Sequence, residues 1–177
     1  QRNGKWMASV KMSSKRVIGG ESLNGDNLKG YYLGDGATYT YTSGADYYNI
    51  FPYWDWRKVP GVTAYSDSAL KKLSQYGYKS NSNFVGSVDN GVGGFATMQL
   101  DRDSLKAKKS WLLTPNFVLC LGADINSDLG KAVTTSIDQR FKTDGLYALN
   151  DSGCWLKLSA EAGIKGKVSR LLEGNMG

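Results

Sequence analysis

The sequence contains no histidine. This absence excludes a Ser-His-Asp triad and a Cys-His pair within the chain, and it excludes every metal site or proton transfer that depends on an imidazole. Any chemistry that the chain performs alone must therefore use carboxylates, tyrosines or lysines.

Cysteine is almost absent as well, since Cys120 and Cys154 are the only two. One pair at this spacing does not form a zinc-binding pattern. Cys120 lies in the apolar run FVLCLG, which predicts a buried strand in which the thiol packs as a small hydrophobic group. A disulfide between the two cysteines is left open.

Long apolar runs are missing, because no stretch approaches the roughly 20 residues that a membrane helix needs. The first residues also lack the pattern of a signal peptide, so we expect a mature segment or an excised fragment. The chain has 177 residues, of which 41% are hydrophobic and 21% are charged. These values predict one globular domain, or a large piece of one, rather than a disordered chain.

Positive charge is in excess, with 22 Lys and Arg against 16 Asp and Glu and a formal net charge of +6. A basic surface favours a polyanionic partner, such as nucleic acid, acidic lipid or acidic polysaccharide. The alternative is that the charge serves solubility alone.

The composition of 22 glycines, 3 prolines and 11 tyrosines predicts many short strands separated by turns. The best hairpin signal is Asn90-Gly91 within FVGSVDNGVGGFATMQL. A short helix is expected in SDSALKKLSQYG, from Ser66 to Gly77. The other predicted strands lie in KWMASVKM, ATYTYT, KAKKSWLLTPNFVLCLGADI (two strands joined at Thr114-Pro115-Asn116), KAVTTSIDQR and CWLKLSA. The prediction is an all-β antiparallel sandwich, with residues 1–177 as a single domain or part of one.

Two stretches contain candidate binding residues. In GGESLNGDNLKG, Glu21 and Asn24 stand three residues apart beside a glycine-rich turn, where they could offer a carboxylate and an amide to one ligand. The alternative is a plain turn, because Asn, Asp and Gly are ordinary turn residues. In YYNIFPYWDWRK, the rings of Trp54 and Trp56 beside Arg57 suit an acidic sugar. They would suit a hydrophobic core equally well.

A third candidate is the lysine-rich stretch DSLKAKKSW. In a strand, Lys106 and Lys108 share one face and would form a basic rim. The alternative is a solvated strand that discourages aggregation.

Taken together, these motifs resemble the central β-sandwich of the family 8 polysaccharide lyases, which act on hyaluronan, chondroitin and xanthan. The matching text, in the order of the family, is MSSKR, ESLNGDNLKGYYLGDGATYTYT, WDWRKVPGVT, FVGSV, AKKSWLL, LGADI and TTSIDQR. The resemblance covers about residues 7–140, and it leaves residues 141–177 unassigned.

The resemblance implies a supersandwich-type β domain that follows an N-terminal α/α toroid and precedes a smaller β domain. It implies that the toroid supplies the catalytic Asn, His, Tyr and Arg, and that the sandwich adds a Glu and an Asn at the positions of Glu21 and Asn24. Asn27 would then bind substrate, together with Trp54, Trp56 and Arg57. The family's Asn-Gly-Glu-Asn appears here as Asn-Gly-Asp-Asn (24–27), with a shorter acid.

The implied activity is cleavage of a uronate-containing polysaccharide by β-elimination, which requires no metal and no organic cofactor. The implied partners are an acidic polysaccharide and the toroid of the same protein, with neither nucleic acid nor membrane, in a secreted or periplasmic bacterial enzyme. We expect the isolated chain to be inactive. The alternatives are a non-catalytic carbohydrate-binding module for acidic glycans and a purely structural surface protein.

Overall fold

The computed structural model describes residues 1–66, 69–141, 146–149, 152–158 and 170–173, and its regular elements are strands and single 3₁₀ turns. The strands are β1 (Met7–Met12), β2 (Asp35–Tyr41), β3 (Thr63–Tyr65), β4 (Val85–Asp89), β5 (Gly94–Arg102), β6 (Leu105–Leu113), β7 (Val118–Ser127), β8 (Val133–Thr135), β9 (Leu146–Leu149), β10 (Trp155–Leu158) and β11 (Arg170–Glu173). The 3₁₀ turns are Leu23–Gly25, Gly30–Tyr32 and Phe51–Tyr53. Every strand pair is antiparallel, which confirms the predicted all-β class.

The chain divides into two compact units, residues 1–139 and 140–177. The first unit holds the two-stranded sheets β1-β2 and β3-β8 and the four-stranded sheet β4-β5-β6-β7. The second unit holds the three-stranded sheet β10-β9-β11. In the described ranges, no helix has the length and apolar character to cross a membrane.

The predicted hairpin at Asn90-Gly91 is confirmed, because β4 and β5 pair from Asp89 opposite Gly94 back to Val85 opposite Met98. Gly91 takes a φ of 81°, which a residue with a side chain rarely adopts. The Asn90 side-chain oxygen accepts hydrogen bonds from the backbone amides of Val92 and Gly93, so the turn is closed by its own sequence.

The main core lies on one face of the four-stranded sheet. Alternate residues of β5 and β6 point to this face, where Met98, Leu100 and Trp111 are almost completely buried. Burying each such side chain stabilises the fold by about 1.5–3 kcal/mol before packing effects. Lys106 and Lys108 point to the other face and are exposed, as the period of two predicted.

Two smaller clusters surround β2. One contains Tyr32, Ala37, Val59, Val62 and Ala64, and the other contains Tyr47, Ile50 and Trp54. Tyr39 of β2 packs against both clusters. This strand therefore connects the loop that contains Tyr32 to the aromatic residues from Tyr47 to Trp54.

The predicted helix in residues 66–77 is wrong for the part that the structure describes, because residues 69–77 form an irregular segment with one turn. The carbonyls of Leu73 and Gln75 accept hydrogen bonds from Ser22, a residue about fifty positions earlier in the chain. These long-range bonds replace the local ones that a helix would make.

The predicted burial of Cys120 is also wrong, although its strand is confirmed. Within the described residues β7 pairs only with β6, so it is the edge of its sheet, and most of its side chains are exposed. Cys120 and Cys154 are both exposed, and neither forms a disulfide within the residues that the structure describes.

Candidate functional site

The first candidate group lies on the loop from Gly19 to Gly34, called here the Glu21 loop. Glu21, Asn24 and Asn27 are all exposed on it. Asn24 and Asn27 have φ values of 58° and 56°, in the left-handed region that asparagine tolerates better than most residues. The structure therefore brings the carboxylate and the amides to one exposed turn.

Asn27 has a role inside this loop. Its side-chain nitrogen donates a hydrogen bond of 3.0 Å to the backbone oxygen of Glu21. The same side chain covers Gly30 so closely that a Cβ there would lie 2.2 Å from its oxygen. Asn27 thus stabilises the turn that presents Glu21, and its contact with substrate stays a prediction.

The segment of residues 73–78, with a turn at Gln75 and Tyr76, flanks the start of the Glu21 loop. The Gly19 amide donates to the Tyr78 carbonyl at 3.0 Å, and the Ser22 amide donates to the Gln75 carbonyl at 3.4 Å. The buried Ser22 hydroxyl donates to the Leu73 carbonyl at 3.1 Å. These three bonds fix the backbone on both sides of Glu21.

Tyr76 is a candidate that sequence reasoning missed. Its side chain is 81% exposed, and it lies in the turn that faces the Glu21 loop. The neighbouring Gly77, with φ of 71°, approaches the loop so closely that a Cβ would lie 1.8 Å from the Gly20 oxygen. A tyrosine directly before a glycine is typical of an exposed turn and could have indicated this position. The helix predicted over the same residues led to a different interpretation.

A buried ion pair lies beneath the Glu21 loop. Asp35 accepts a hydrogen bond of 2.6 Å from Arg102 and one of 2.7 Å from the Tyr78 hydroxyl. Burial raises the pKa of Asp35 to about 6, because the loss of hydration outweighs the attraction of Arg102. The Arg102 guanidinium also lies 3.6 Å from the centre of the Tyr78 ring.

Lys109 adds a second buried cation to this region. Its ammonium group donates to the backbone oxygens of Asp35 and Gly61. Burial lowers the pKa of Lys109 to about 8, although the Asp35 carboxylate opposes the shift. The alternation along β6 places this lysine on the face opposite to Lys106 and Lys108, which are exposed.

The second candidate group, around Trp54, Trp56 and Arg57, is divided by the structure. Trp54 is only 6% exposed and packs with Tyr47 and Ile50, so its ring forms part of the core and leaves little surface for a sugar. Trp56 is half-buried, and its ring stacks on that of Phe51 at 6.0 Å between centroids.

Arg57 is held by its neighbour Asp55 through two side-chain hydrogen bonds of 2.8 Å. These bonds lower the pKa of Asp55 and raise that of Arg57. Gln139 fixes Asp55 in turn, since it accepts from the Asp55 amide at 2.6 Å and donates to its carbonyl at 3.2 Å. The WDWR and IDQR motifs are therefore interlocked, and sugar binding by Arg57 and Trp56 stays a prediction.

The two candidate groups lie at opposite ends of β2. The Glu21 loop leads into Asp35, whereas the aromatic cluster packs against Tyr39 and Tyr41. Six residue steps separate Asp35 from Tyr41, or about 20 Å along an extended strand.

Comparison with known proteins places these residues in context. The model of the polysaccharide lyase family 8 super-sandwich domain matches residues 1–173 and so extends beyond the range in which motifs are recognisable. The chain is 44% identical over 134 residues to chondroitinase-AC of Pedobacter heparinus, and 33% identical over 147 residues to a hyaluronate lyase of Thermasporomyces composti. These alignments cover 74% and 78% of the chain.

A solved structure of chondroitinase AC lyase in complex with oligosaccharides has the same fold over 83% of the chain, with a TM-score of 0.78 and 38% identity. The matched part is 22% of that protein. The chain likewise spans only 19% and 18% of the two curated relatives. It corresponds to one portion of much larger enzymes.

Proposed function

The chain belongs to polysaccharide lyase family 8, and we propose that it is the central β-sandwich of an enzyme that cleaves uronate-containing acidic polysaccharide by β-elimination. The chondroitin- and hyaluronan-cleaving relatives support this class of substrate. The members of this family are enzymes. For the protein that contains this chain, we propose the same reaction on a polymer of this class.

One observation carries the proposal: Glu21 and Asn24 are both exposed on one loop whose backbone is fixed by hydrogen bonds at Gly19 and Ser22. In the part of the chain that the structure describes, neither the Glu21 carboxylate nor the Asn24 amide makes a side-chain hydrogen bond. The arrangement is suited to hold a ligand or a facing domain.

The chemistry of the substrate explains these residue types. The proton at C5 of a uronate is only weakly acidic, because the neighbouring carboxylate alone stabilises the resulting anion. An amide such as Asn24 hydrogen-bonds that carboxylate without adding negative charge, and this lowers the barrier to proton removal. A tyrosine of the facing domain would take the C5 proton, and the bond from C4 to the glycosidic oxygen would then break. The oxygen would leave as a hydroxyl after it takes up a proton, and a double bond between C4 and C5 would remain in the new non-reducing sugar.

Glu21 would orient cationic and imidazole groups supplied by a facing domain, rather than remove the proton itself. The chain has no histidine, and the proton chemistry needs partners that it lacks. We therefore propose that an N-terminal α/α toroid of the same protein completes the cleft. We also propose that the isolated chain is inactive, and that the enzyme is exported to reach an external polysaccharide.

A carbohydrate-binding module for acidic glycans is the second candidate function. Phe51, Tyr48 and Tyr53 are 51%, 73% and 78% exposed, and they lie close in sequence to Arg57. Exposed rings beside a cation could hold an acidic sugar without cutting it. A simple binder would not need Glu21, since a carboxylate contributes little to the binding of a polyanion.

The substitution Glu21→Ala in the full-length protein separates the two functions. A lyase should lose turnover, measured as the ultraviolet absorbance of the unsaturated sugar, while its affinity for the polymer stays nearly unchanged. The matched control is Asp128→Ala, which removes an exposed acid outside the Glu21 loop and should leave both quantities unchanged. Normal turnover in Glu21→Ala would refute the role given to Glu21, and a wild-type protein that binds the polymer without cutting it would favour the binding module.

A further inference from the structure

Both ends of the Glu21 loop meet at Tyr78. At the first end, the Gly19 amide donates to the Tyr78 carbonyl, and a Cβ on Gly19 would lie 2.0 Å from Cζ of the Tyr78 ring. At the other end, a Cβ on Gly34 would lie 2.8 Å from the Tyr78 hydroxyl oxygen and 2.3 Å from Cα of Gly19. The first and last residues of the loop thus close on each other and on one aromatic ring.

The Tyr78 ring is itself held from two directions. Its hydroxyl donates to the buried Asp35, and the Arg102 guanidinium lies against its face at 3.6 Å. Asp35 and Arg102 are joined by a 2.6 Å ion pair and are only 2% and 8% exposed. A ring fixed in this way cannot turn aside easily, so a group pressed against it must move instead.

We propose that Tyr78 is a positioning residue, which clamps the two ends of the Glu21 loop and thereby fixes the Glu21 carboxylate and the Asn24 amide. The consequence for turnover rests on the proposed function, whereas the clamp itself does not. If Tyr78 serves stability alone, its loss lowers the melting temperature but leaves the loop and the reaction as they were.

Two substitutions in the full-length enzyme test the clamp from opposite sides. Tyr78→Phe keeps the ring and removes the hydroxyl that donates to Asp35. Gly19→Ala adds one methyl group where the ring already lies, and the φ of Gly19 is not in the left-handed region, so that contact is the main obstacle.

The controls are matched to these changes. Tyr47→Phe removes another buried hydroxyl, one that accepts a hydrogen bond from the Thr40 amide at 3.4 Å in the cluster after β2. Gly86→Ala adds a methyl group on β4 where no atom lies within 4 Å. Neither control residue contacts the Glu21 loop through the bonds described above.

The first readout is hydrogen exchange of the peptide spanning residues 19–34. Loss of a hydrogen bond to a buried carboxylate predicts exchange about tenfold faster, or more, in Tyr78→Phe, and Gly19→Ala should behave alike. Unchanged exchange of this peptide in both variants would overturn the proposal. An equal rise in Tyr47→Phe would overturn it as well, because the effect would then not depend on Tyr78.

The second readout separates positioning from binding. Misplacement of Glu21 and Asn24 should lower kcat by about 10- to 100-fold and leave KM within about twofold. Faster loop exchange with an unchanged kcat would support the clamp and contradict the proposed role of Glu21 and Asn24. Failure of the clamp and failure of the proposed function are therefore distinguishable.

Discussion

The buried Asp35 makes the stability of the sandwich depend on pH in a direction that can be tested. Its pKa is raised from 3.8 to about 6 in the folded protein. Between these two values the folded state binds a proton that the unfolded state has released, so this carboxyl group reduces stability as the pH rises from about 4 to 6. A shift of about 2 pH units corresponds to about 3 kcal/mol.

The substitution Asp35→Asn removes this dependence, because the amide does not ionise. The free energy of unfolding of the variant, relative to wild type, should therefore rise by up to about 3 kcal/mol between pH 4 and pH 7. For a domain of this size, that change corresponds to about 6–12 °C in melting temperature. The measurement is calorimetric unfolding of wild-type and variant full-length enzyme at several pH values. Burial lowers the pKa of Lys109 and the Asp35 carboxylate opposes this shift, so the variant has a still lower Lys109 pKa, and this change adds to the rise of the variant's relative stability with pH.

The half-buried Asp46 gives a control of opposite sign. Although partial desolvation alone would raise its pKa, hydrogen bonds from Ser43 and Thr42 lower it to about 2. Asp46 therefore stabilises the fold above pH 4 and loses this contribution as the pH falls towards 2, so Asp46→Asn should lose stability relative to wild type as the pH rises from 2 to 4. If the difference between Asp35→Asn and wild type falls with rising pH, the attraction of Arg102 outweighs desolvation and our reasoning about Asp35 is wrong.

The two tryptophans of the WDWR motif should respond differently to truncation. Trp54→Ala removes a ring that is 6% exposed and should cost about 3–5 kcal/mol of stability, measured by denaturant unfolding; a cost below 1 kcal/mol would contradict its place in the core. Trp56→Ala removes a half-buried ring and should weaken affinity for the acidic polymer by a few-fold with a smaller loss of stability, measured by titration calorimetry; unchanged affinity would remove Trp56 from the predicted binding residues.

The strands could be predicted from the sequence because their signals are local. Asn90-Gly91 closes its hairpin with its own side chain, and the alternation in β6 exposes Lys106 and Lys108. The segment that ends at Gly77 shows the limit of such signals. Its spacing suited a helix, but the Glu21 loop, distant in sequence, supplies the hydrogen bonds that decide its conformation.

The candidate site was predictable only in part, for the same reason. Glu21 and Asn24 follow from the resemblance to the lyase family, and their exposure on one turn agrees with it. The ion pair between Asp35 and Arg102 joins residues 67 positions apart, and the hydrogen bond from Tyr78 to Asp35 joins residues 43 positions apart. No local sequence pattern predicts either contact. The burial of Lys109 likewise depends on which face of β6 the core covers.

The most direct test compares the isolated 177-residue chain with the full-length enzyme on chondroitin sulfate or hyaluronan. The measured quantity is the rise in ultraviolet absorbance as unsaturated sugar ends form. If the active site is completed by a facing domain, the full-length enzyme should produce the rise and the isolated chain should produce none. A rise with the isolated chain alone, or none with the full-length enzyme on any uronate polymer, would contradict the proposal.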